Sequence, residues 1–309
     1  MASGIVSASF KHGLPHEATT IDGAAVVQTI GKIWYVDAGQ AVGSNGSGTS
    51  WVTAFATMAE AFSVIKSGDV IFVSGYVREQ LVTPVNVFDV RVIGIGPRPR
   101  HADATPVGGN QATAAWGAPS SGAVSGQANV RVLQQGWEFS GILFTMQGST
   151  AAAIEIVRNA GAGDLERDAS HAVIRENRFA GAGIGIRFGV AGLFTEMARN
   201  VLIEKNQFES NTTAILATAG FTANSHVIQD NIFLDNTNDI VGPFSKTYIL
   251  RNVMSLAPTA SISLTGGGSN RVHGNILPGT YTTGTVYADV AGDNWNGNFA
   301  STGVTAAVP

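Results

Sequence analysis

The sequence contains no cysteine, and only 13% of its 309 residues are charged. The missing cysteines exclude a scaffold held together by disulfides and leave the redox compartment undetermined. With a formal net charge of −4 and no cluster of Lys or Arg, the chain lacks the electrostatic footprint of a nucleic-acid-binding protein. No apolar run approaches the roughly eighteen residues of a spanning helix, so we expect no membrane insertion.

The N-terminal segment also lacks familiar signals. It has no basic start followed by an apolar core, so we expect no signal peptide and synthesis in a cytoplasm. Residues 1–31 show neither helical nor strand periodicity. They are interpreted either as a disordered tail or as an arm that orders on a partner or neighbouring subunit. Apolar residues such as Ile5, Phe10 and Val27 favour the arm.

What the sequence does contain is a repeat in its second half. Five asparagines follow one another at steps of 29, 25, 21 and 23 residues: Asn177, Asn206, Asn231, Asn252 and Asn275. Each has a β-branched residue three places before it and a large apolar residue two places after it. Units this short, built of strands and turns, are typical of a solenoid. We predict that each Asn marks a corner between two strands, tolerates left-handed geometry there, and can bond the next Asn up the column.

The flanking segments fit an all-β solenoid with one helix. Apolar residues at steps of four and three predict a capping helix over 51–66, with Ser50 as its N-cap. Such a helix would cover the open edge of the first coil. The segment 96–128, which includes Trp116, is interpreted as a long loop. The predicted organisation is an arm over 1–31, a right-handed parallel β-helix over 32–290, and a C-terminal tail over 291–309.

From Ile33 to about Val290 the chain resembles the right-handed parallel β-helix proteins of the pectate-lyase-like superfamily. The segments VIRENRF, LIEKNQF and VIQDNIF resemble the coil repeat, and SWVTAFATMAEAF with the following SGDVIFVSG resembles the capping helix and first coil. The segment GIGPRPRHADATPVGGN and the Trp116 region are similar to stretches of β-helical virion proteins of tailed bacteriophages. The resemblance implies a tailspike-like homotrimer. Because this fold carries lyases, hydrolases and inert spikes, it does not define an activity.

The residues that precede the ladder asparagines form a predicted charge column: Glu176, Lys205, Asp230 and Arg251. On adjacent rungs, about 4.8 Å apart, these charges would alternate in sign. A catalytic interpretation exists, because polysaccharide lyases use a basic residue near acidic ones. Cross-strand pairing of opposite charges is the favoured, structural interpretation.

Paired carboxylates are the other candidates for catalysis, since a glycosidase needs two of them about 5–9 Å apart. Asp230 and Asp235 are expected on one rung, with Glu209 one rung below. A second acidic group, Asp164, Glu166 and Asp168, falls in one loop, and neither this group nor the six histidines has regular metal-ligand spacing. The sequence therefore predicts no metal and no cofactor. It offers no lyase triad of stacked aspartates.

Trp116 and Trp295 are interpreted as exposed aromatic residues that could stack on a sugar. The expected function is that of a structural virion protein: a tailspike- or fibre-like homotrimer that docks on other virion proteins through residues 1–31 and contacts host-surface polysaccharide. A capsid decoration protein, a polysaccharide lyase and a glycoside hydrolase remain alternatives. The alternating charges argue against catalysis, because a carboxylate paired with Lys or Arg has a lowered pKa, whereas a general acid needs a raised one.

Overall fold

The computed structural model describes residues 31–39, 46–96, 114–121, 123–146, 150–159, 167–181, 183–190, 198–220, 223–255, 259–277, 287–288 and 292–300, together with four short strands before residue 31. These four strands pair antiparallel two by two: Phe10–Lys11 with Leu14–Pro15, and Thr19–Ile21 with Ala24–Val26.

The rest of the chain is a right-handed parallel β-helix, as the sequence predicted. Three parallel sheets run along its length, and each coil contributes one strand to each sheet in turn. The first sheet comprises Ile33–Asp37, Val70–Ser74, Arg91–Gly94, Glu138–Ser140, Val173–Arg175, Leu202–Glu204, Val227–Gln229, Tyr248–Leu250, Arg271–His273 and Asn294–Asn296. The second sheet comprises Tyr76–Arg78, Ala115–Gly117, Leu143–Thr145, Arg178–Ala180, Gln207–Glu209, Ile232–Leu234, Val253–Met254, Ile276–Leu277 and Phe299–Ala300. The third sheet comprises Leu81–Val82, Val130–Val132, Ala152–Ile156, Ile184–Phe188, Thr213–Ala217, Asn238–Val241, Ala260–Ser263 and Tyr287–Ala288.

Two further strand pairs lie outside the three sheets. Arg158–Asn159 pairs antiparallel with Arg167–Asp168. Ala223–Asn224 pairs parallel with Phe244–Ser245 at the corner between the third and first sheets.

Successive coils superpose their inward side chains, which form one continuous core. In the first sheet Ile174, Ile203 and Ile228 occupy consecutive rungs and are fully buried. In the second sheet Phe179 and Phe208 stack with ring centroids 4.7 Å apart. Because like residues recur at like positions, each rung buries its apolar side chains against the next rung rather than in a separate hydrophobic centre.

The helix α1 spans Met58–Val64, so the predicted span 51–66 was wrong at its N-terminal end. Thr57 is the N-cap: its hydroxyl accepts from the backbone N of Glu60, whose carboxylate accepts from the backbone N of Thr57. This capping box places the N-cap seven residues after the predicted Ser50, and residues 51–57 form turns and a bridge. The helix packs Phe62 edge-on against Trp137 in the core of the first coils. No helix among the described residues is long and apolar enough to cross a membrane.

Two predicted boundaries also need correction. Ala115–Gly117 is a strand of the second sheet, so the segment 96–128 is not one loop. At the other end, Asn294–Asn296 and Phe299–Ala300 add strands to the first and second sheets, so the β-helix extends past residue 290 into the predicted tail. The physical reason is that Gly297 and Asn298 repeat the corner used in earlier coils.

Candidate functional site

The asparagine column lies at the corner between the first and second sheets. Asn206 is representative: its Oδ1 accepts from the backbone N and Nδ2 of Asn177 at 3.0 and 3.2 Å, and its own Nδ2 donates to the carbonyl of Ile174 at 2.8 Å. The same pattern recurs through all five predicted residues and ends at a sixth, Asn298, that sequence reasoning missed. Below Asn177, the backbone N of Ile142 donates to its Oδ1, so Ile142 occupies the corresponding slot.

The left-handed residue at this corner is not the asparagine but the residue before it. Glu176, Lys205, Asp230 and Arg251 have φ angles of 56°, 54°, 56° and 52°. The asparagine side chain turns inward, where it satisfies backbone groups that the sharp corner would otherwise bury without partners. The predicted charge column therefore coincides with the strained corner positions, and its side chains lie on the outside.

Two further polar ladders, which the sequence analysis missed, hold the other two corners. Between the second and third sheets, Asn236 Oδ1 accepts from the backbone N and Nδ2 of Asn211 at 2.9 and 2.8 Å. Between the third and first sheets, Asn270 Oδ1 accepts from the backbone N of Thr247, and Asp293 accepts from Asn270. The sequence step from Asn211 to Asn236 equals the step from Asn206 to Asn231, and this equality could have revealed the second ladder from the sequence.

Within the charge column, Arg251 binds Asp230 in a bidentate ion pair. Its Nε and Nη2 donate to the two carboxylate oxygens of Asp230, each at 2.8 Å. The hydrogen bonds from Arg251 hold the pKa of Asp230 below its ordinary value, with a smaller contribution from the charge of Lys205. This geometry keeps Asp230 ionised and engaged, which is unsuited to a general acid.

The predicted catalytic carboxylates lie on two adjacent rungs. Asp230 and Asp235 flank the strand Ile232–Leu234, each at a corner with a left-handed φ. Glu209 pairs in register with Leu234, so it lies on the rung next to Asp235. It is buried, and its Oε2 accepts from Arg178 Nη2 at 2.6 Å, so this carboxylate is engaged in an ion pair.

Other carboxylates sit between arginines on consecutive rungs, which the sequence analysis did not predict. On the outside of the first sheet, Glu138 bonds Arg175 at 2.6 Å and lies 3.4 Å from Arg91. On the third sheet, the fully buried Glu155 bonds Arg131 at 2.6 Å and also Arg187. The sequence separations between these arginines and glutamates are irregular, so only the strand register shows that they are neighbours.

Both tryptophans that were predicted to bind sugar are in the core. Trp116 is fully buried in a strand of the second sheet, stacks on Phe144, and donates its Nε1 to the Glu79 carbonyl at 2.9 Å. Trp295 is 8% exposed and packs inward on the last described strand of the first sheet. Neither indole offers a face to a ligand at the surface, so these predictions were wrong. Each tryptophan occupies a strand position whose side chain points into the core.

The acidic loop and the histidines form no site in the part of the chain that is described. Asp164 and Glu166 lie outside the described residues, and Asp168 accepts from the backbone N and hydroxyl of Ser170 at 2.9 and 2.5 Å. His226 is fully buried beside Phe188, and burial lowers its pKa to about 3. No group of three or more His, Cys, Asp or Glu among the described residues could hold a metal ion.

An exposed aromatic residue that sequence reasoning passed over is Tyr248. It lies on the outer face of the first sheet and is 47% exposed. On the preceding rungs of this face, Gln229 donates to Glu204 at 3.0 Å, and Arg271 follows Tyr248 on the next rung. This face combines an exposed ring with neighbouring hydrogen-bonding groups.

Comparisons with solved structures found several similar chains. Solved structures similar to this chain include XylC in complex with xylose, at 10% identity over 88% of this chain and 76% of that chain, with a TM-score of 0.33. Pectin methylesterase PemA from Erwinia chrysanthemi is 9% identical over 88% of this chain and 90% of that chain, with a TM-score of 0.35. The alginate lyase AlyGC is 13% identical over 79% of this chain and 50% of that chain, with a TM-score of 0.24. Because the identities are 13% or lower and the TM-scores are all below 0.5, no property of these proteins is carried over to this chain.

At the level of sequence, the comparison with curated proteins gave no match. One family matches residues 140–298, which is slightly more than half of the chain and includes the whole asparagine column. The chain therefore belongs to the family described as periplasmic copper-binding protein (NosD).

Proposed function

We propose that this protein is a structural component of a tailed-phage virion: a tailspike- or fibre-like homotrimer that docks through residues 1–31 and contacts host-surface glycan without cleaving it. The observation that carries the proposal is that carboxylates of the β-helix are bound in ion pairs. Glu138, Glu155, Glu209 and Asp230 are each bound by arginine. They hold adjacent rungs together instead of forming a pair of acids around a substrate.

The virion setting is supported by the similarity of residues 94–110 and the Trp116 region to β-helical virion proteins. Most of that stretch lies outside the described residues, as does most of the arm over 1–31. The proposed virion setting therefore rests on sequence similarity, whereas the proposed lack of catalysis rests on the ion-paired carboxylates of the described residues.

The outer face of the first sheet is the surface that we propose for glycan. Tyr248 presents its ring to solvent, and Gln229 and Arg271 lie on the rungs on either side of it. A half-exposed aromatic ring can cover the apolar face of a sugar while its hydroxyl and the neighbouring polar groups bond the sugar hydroxyls. This surface replaces Trp116 and Trp295 as the candidate.

Copper is implied by the family description, and the described residues do not fit it. The sequence has no cysteine. The described methionines Met58, Met146 and Met254 are buried in the apolar core. His226, with its pKa lowered to about 3, is enclosed by Phe188 and Phe244. Soft sulfur and imidazole ligands would have to converge to bind copper, and these do not. We therefore propose no copper chemistry for this chain.

The position on the particle is tested by reconstruction of purified virions. We expect the chain in a projection of the tail. Density for it in the capsid shell would instead establish a decoration protein, and its absence from purified virions would refute the virion proposal altogether.

The non-catalytic proposal is tested with purified protein and host capsule or lipopolysaccharide. We expect binding, reduced in Tyr248→Ala and unchanged in Val82→Ala on another sheet, with no new reducing ends and no unsaturated uronates. Cleavage that is lost in Asp235→Asn would show that the protein is a polysaccharide depolymerase, either a lyase or a glycoside hydrolase.

A further inference from the structure

The outer face of the second sheet changes character partway along the stack. At the level of Gln207–Glu209 it carries polar residues, including the buried ion pair of Arg178 with Glu209. On the four following rungs the first outward position is apolar. Its residues, hereafter the apolar column, are Ile232, Val253, Ile276 and Phe299, with exposed fractions of 44%, 41%, 43% and 65%.

The apolar column is in register. Ile232 pairs with Val253, Val253 with Ile276, and Ile276 with Phe299, so the side chains stand on consecutive strands. Strands are about 4.8 Å apart, so the column is a straight line of four apolar side chains roughly 14 Å long. A surface that contacts all four must present groups at the same spacing.

A second copy of this chain has that spacing. In an assembly whose symmetry axis runs parallel to the stack, each rung of one copy lies at the height of the same rung of the next. Ile232, Val253, Ile276 and Phe299 would then meet their own counterparts over the whole length of the column. A globular partner or a flexible peptide has no built-in repeat at this pitch.

The charges around the column are compatible with this contact. The strands Ile232–Leu234, Val253–Met254, Ile276–Leu277 and Phe299–Ala300 contain no charged residue. At the adjoining corner, Asp230 and Arg251 neutralise each other through their bidentate pair. At this corner, copies at equal height would therefore bring together apolar side chains and neutralised pairs, while the exposed Asp235 lies at the opposite end of the strand Ile232–Leu234. Continuous exposed apolar faces of this kind mark interaction sites in soluble proteins.

We propose that the apolar column is the self-association surface of the protein and that copies associate side by side in parallel through it. This inference specifies the face used in the homotrimer of the proposed function, but it does not require a virion.

Because the chain has no cysteine, the contact can be tested by single-cysteine cross-linking of the full chain. Val253→Cys is compared with Val82→Cys, since both valines are 41% exposed and Val82 lies on the third sheet. Under mild oxidation at micromolar concentration, we expect a disulfide-linked species for Val253→Cys that persists on dilution, and none for Val82→Cys. Cross-linking only in a mixture of Val253→Cys with Ile276→Cys would show an antiparallel contact and overturn the parallel arrangement.

A second measurement keeps the inference testable if oxidation is inefficient. Light scattering should give an oligomeric mass for the wild type and for Val82→Lys, and a monomeric mass for Ile276→Lys with an unchanged circular dichroism spectrum. A wild type that is monomeric at micromolar concentration would overturn both this inference and the proposed trimer. An oligomer that persists in Ile276→Lys, with no cross-link at residue 253, would overturn this face while leaving the trimer in place.

Discussion

The two halves of the stack turn the same corner in different ways. In the N-terminal coils the left-handed position between the first and second sheets is Gly75 or Gly141, and Ile142 fills the slot that follows Gly141. In the C-terminal coils the position is often a charged residue, such as Lys205, and the slot holds an asparagine. Glycine adopts this geometry at no steric cost, whereas a residue with a side chain does not. The asparagine ladder satisfies three backbone or amide groups per rung, and it continues through the last coils, where Gly274 and Gly297 precede the asparagines.

The two halves also differ on their surfaces. The N-terminal half carries two arginine–carboxylate rows, in which Glu138 and Glu155 each bind arginines on the two neighbouring rungs. The C-terminal half has an exposed pair, Asp230 with Arg251, beside the apolar column. In the N-terminal half these ion pairs tie neighbouring rungs together, whereas the C-terminal half carries the apolar column that we propose as the contact with a second copy. The following predictions test this division.

The largest effect is expected where the repeat is strictest, in the core of the C-terminal half. Ile228→Asp places an unpaired charge in a fully buried position between Ile203 and Ile249. The cost should exceed about 5 kcal/mol and leave little or no folded protein. Ile232→Asp, at a position that is 44% exposed, is the matched control and should fold normally. Circular dichroism melts of both variants decide the result, and a wild-type melt for Ile228→Asp would show that the core register is wrong.

The next effect concerns the ion-paired N-terminal half. Glu155→Gln removes the buried negative charge that Arg131 and Arg187 share between the rungs. Breaking a buried ion pair from one side typically costs about 3–5 kcal/mol. Denaturant unfolding should show this loss. An unchanged stability would show that these ion pairs do not hold the rungs of the N-terminal half together.

The sequence predicts the C-terminal half of the β-helix better than the N-terminal half. The C-terminal half repeats at nearly constant steps, so the asparagine column, the inward Ile and Phe positions and the fold were predictable. The N-terminal half has irregular steps, so the strand that contains Trp116 was interpreted as a loop. The arginine–carboxylate rows depend on register between residues as distant as Arg91 and Glu138, which no local pattern encodes.

Breaking the asparagine ladder should cost less than either of these changes. Asn231→Ala removes the acceptor for the backbone N and Nδ2 of Asn206 and the donor to the Ile203 carbonyl. Leaving buried groups unsatisfied costs about 1–3 kcal/mol each, with partial relief by relaxation, so we expect a total of about 2–4 kcal/mol. Asn298→Ala, at the partly exposed end of the column, should cost clearly less. Equal losses at the two positions would argue against a ladder that depends on burial.

A pH effect is expected from Asp239, a carboxyl in the C-terminal half. It is 1% exposed, and burial raises its pKa to about 8 although Asn236 donates to it at 3.0 Å and the nearby Ser261 hydroxyl also favours the charged form. Its Oδ2 accepts no hydrogen bond of ordinary length from the described residues, which is why burial dominates. The folded state therefore holds a proton that the unfolded state releases near pH 4, and stability should fall as pH rises from about 4 to 8, by up to about 1.4 kcal/mol per pH unit.

Asp239→Asn keeps the shape of the neutral acid and removes this titration. We expect the variant to be more stable than the wild type at pH 8, with the difference shrinking toward pH 5. His226 provides the internal control, because its pKa is lowered to about 3 and its contribution to stability is lost as pH falls below about 6.5. Below about pH 4, where Asp239 is protonated in both the folded and the unfolded state, the stability profile should thus have the same slope in both proteins. A wild type with no loss of stability between pH 5 and 8 would contradict the protonated state of Asp239.

The smallest effect is expected at the exposed ion pair of the C-terminal half. Arg251 is 55% exposed and Asp230 is 32% exposed, so solvent screens their attraction and competes for both partners. Asp230→Asn should leave the melting temperature nearly unchanged, unlike Glu155→Gln.

The effect of Asp230→Asn should instead appear in assembly, because Arg251 would then carry an uncompensated positive charge beside the apolar column. In a parallel contact these charges would face one another at equal height and repel. We therefore expect a weaker oligomer at low salt, recovered at high salt, where the repulsion is screened. Light scattering at two salt concentrations measures this, and an oligomer that is indifferent to both the mutation and the salt would place the contact on another face of the β-helix.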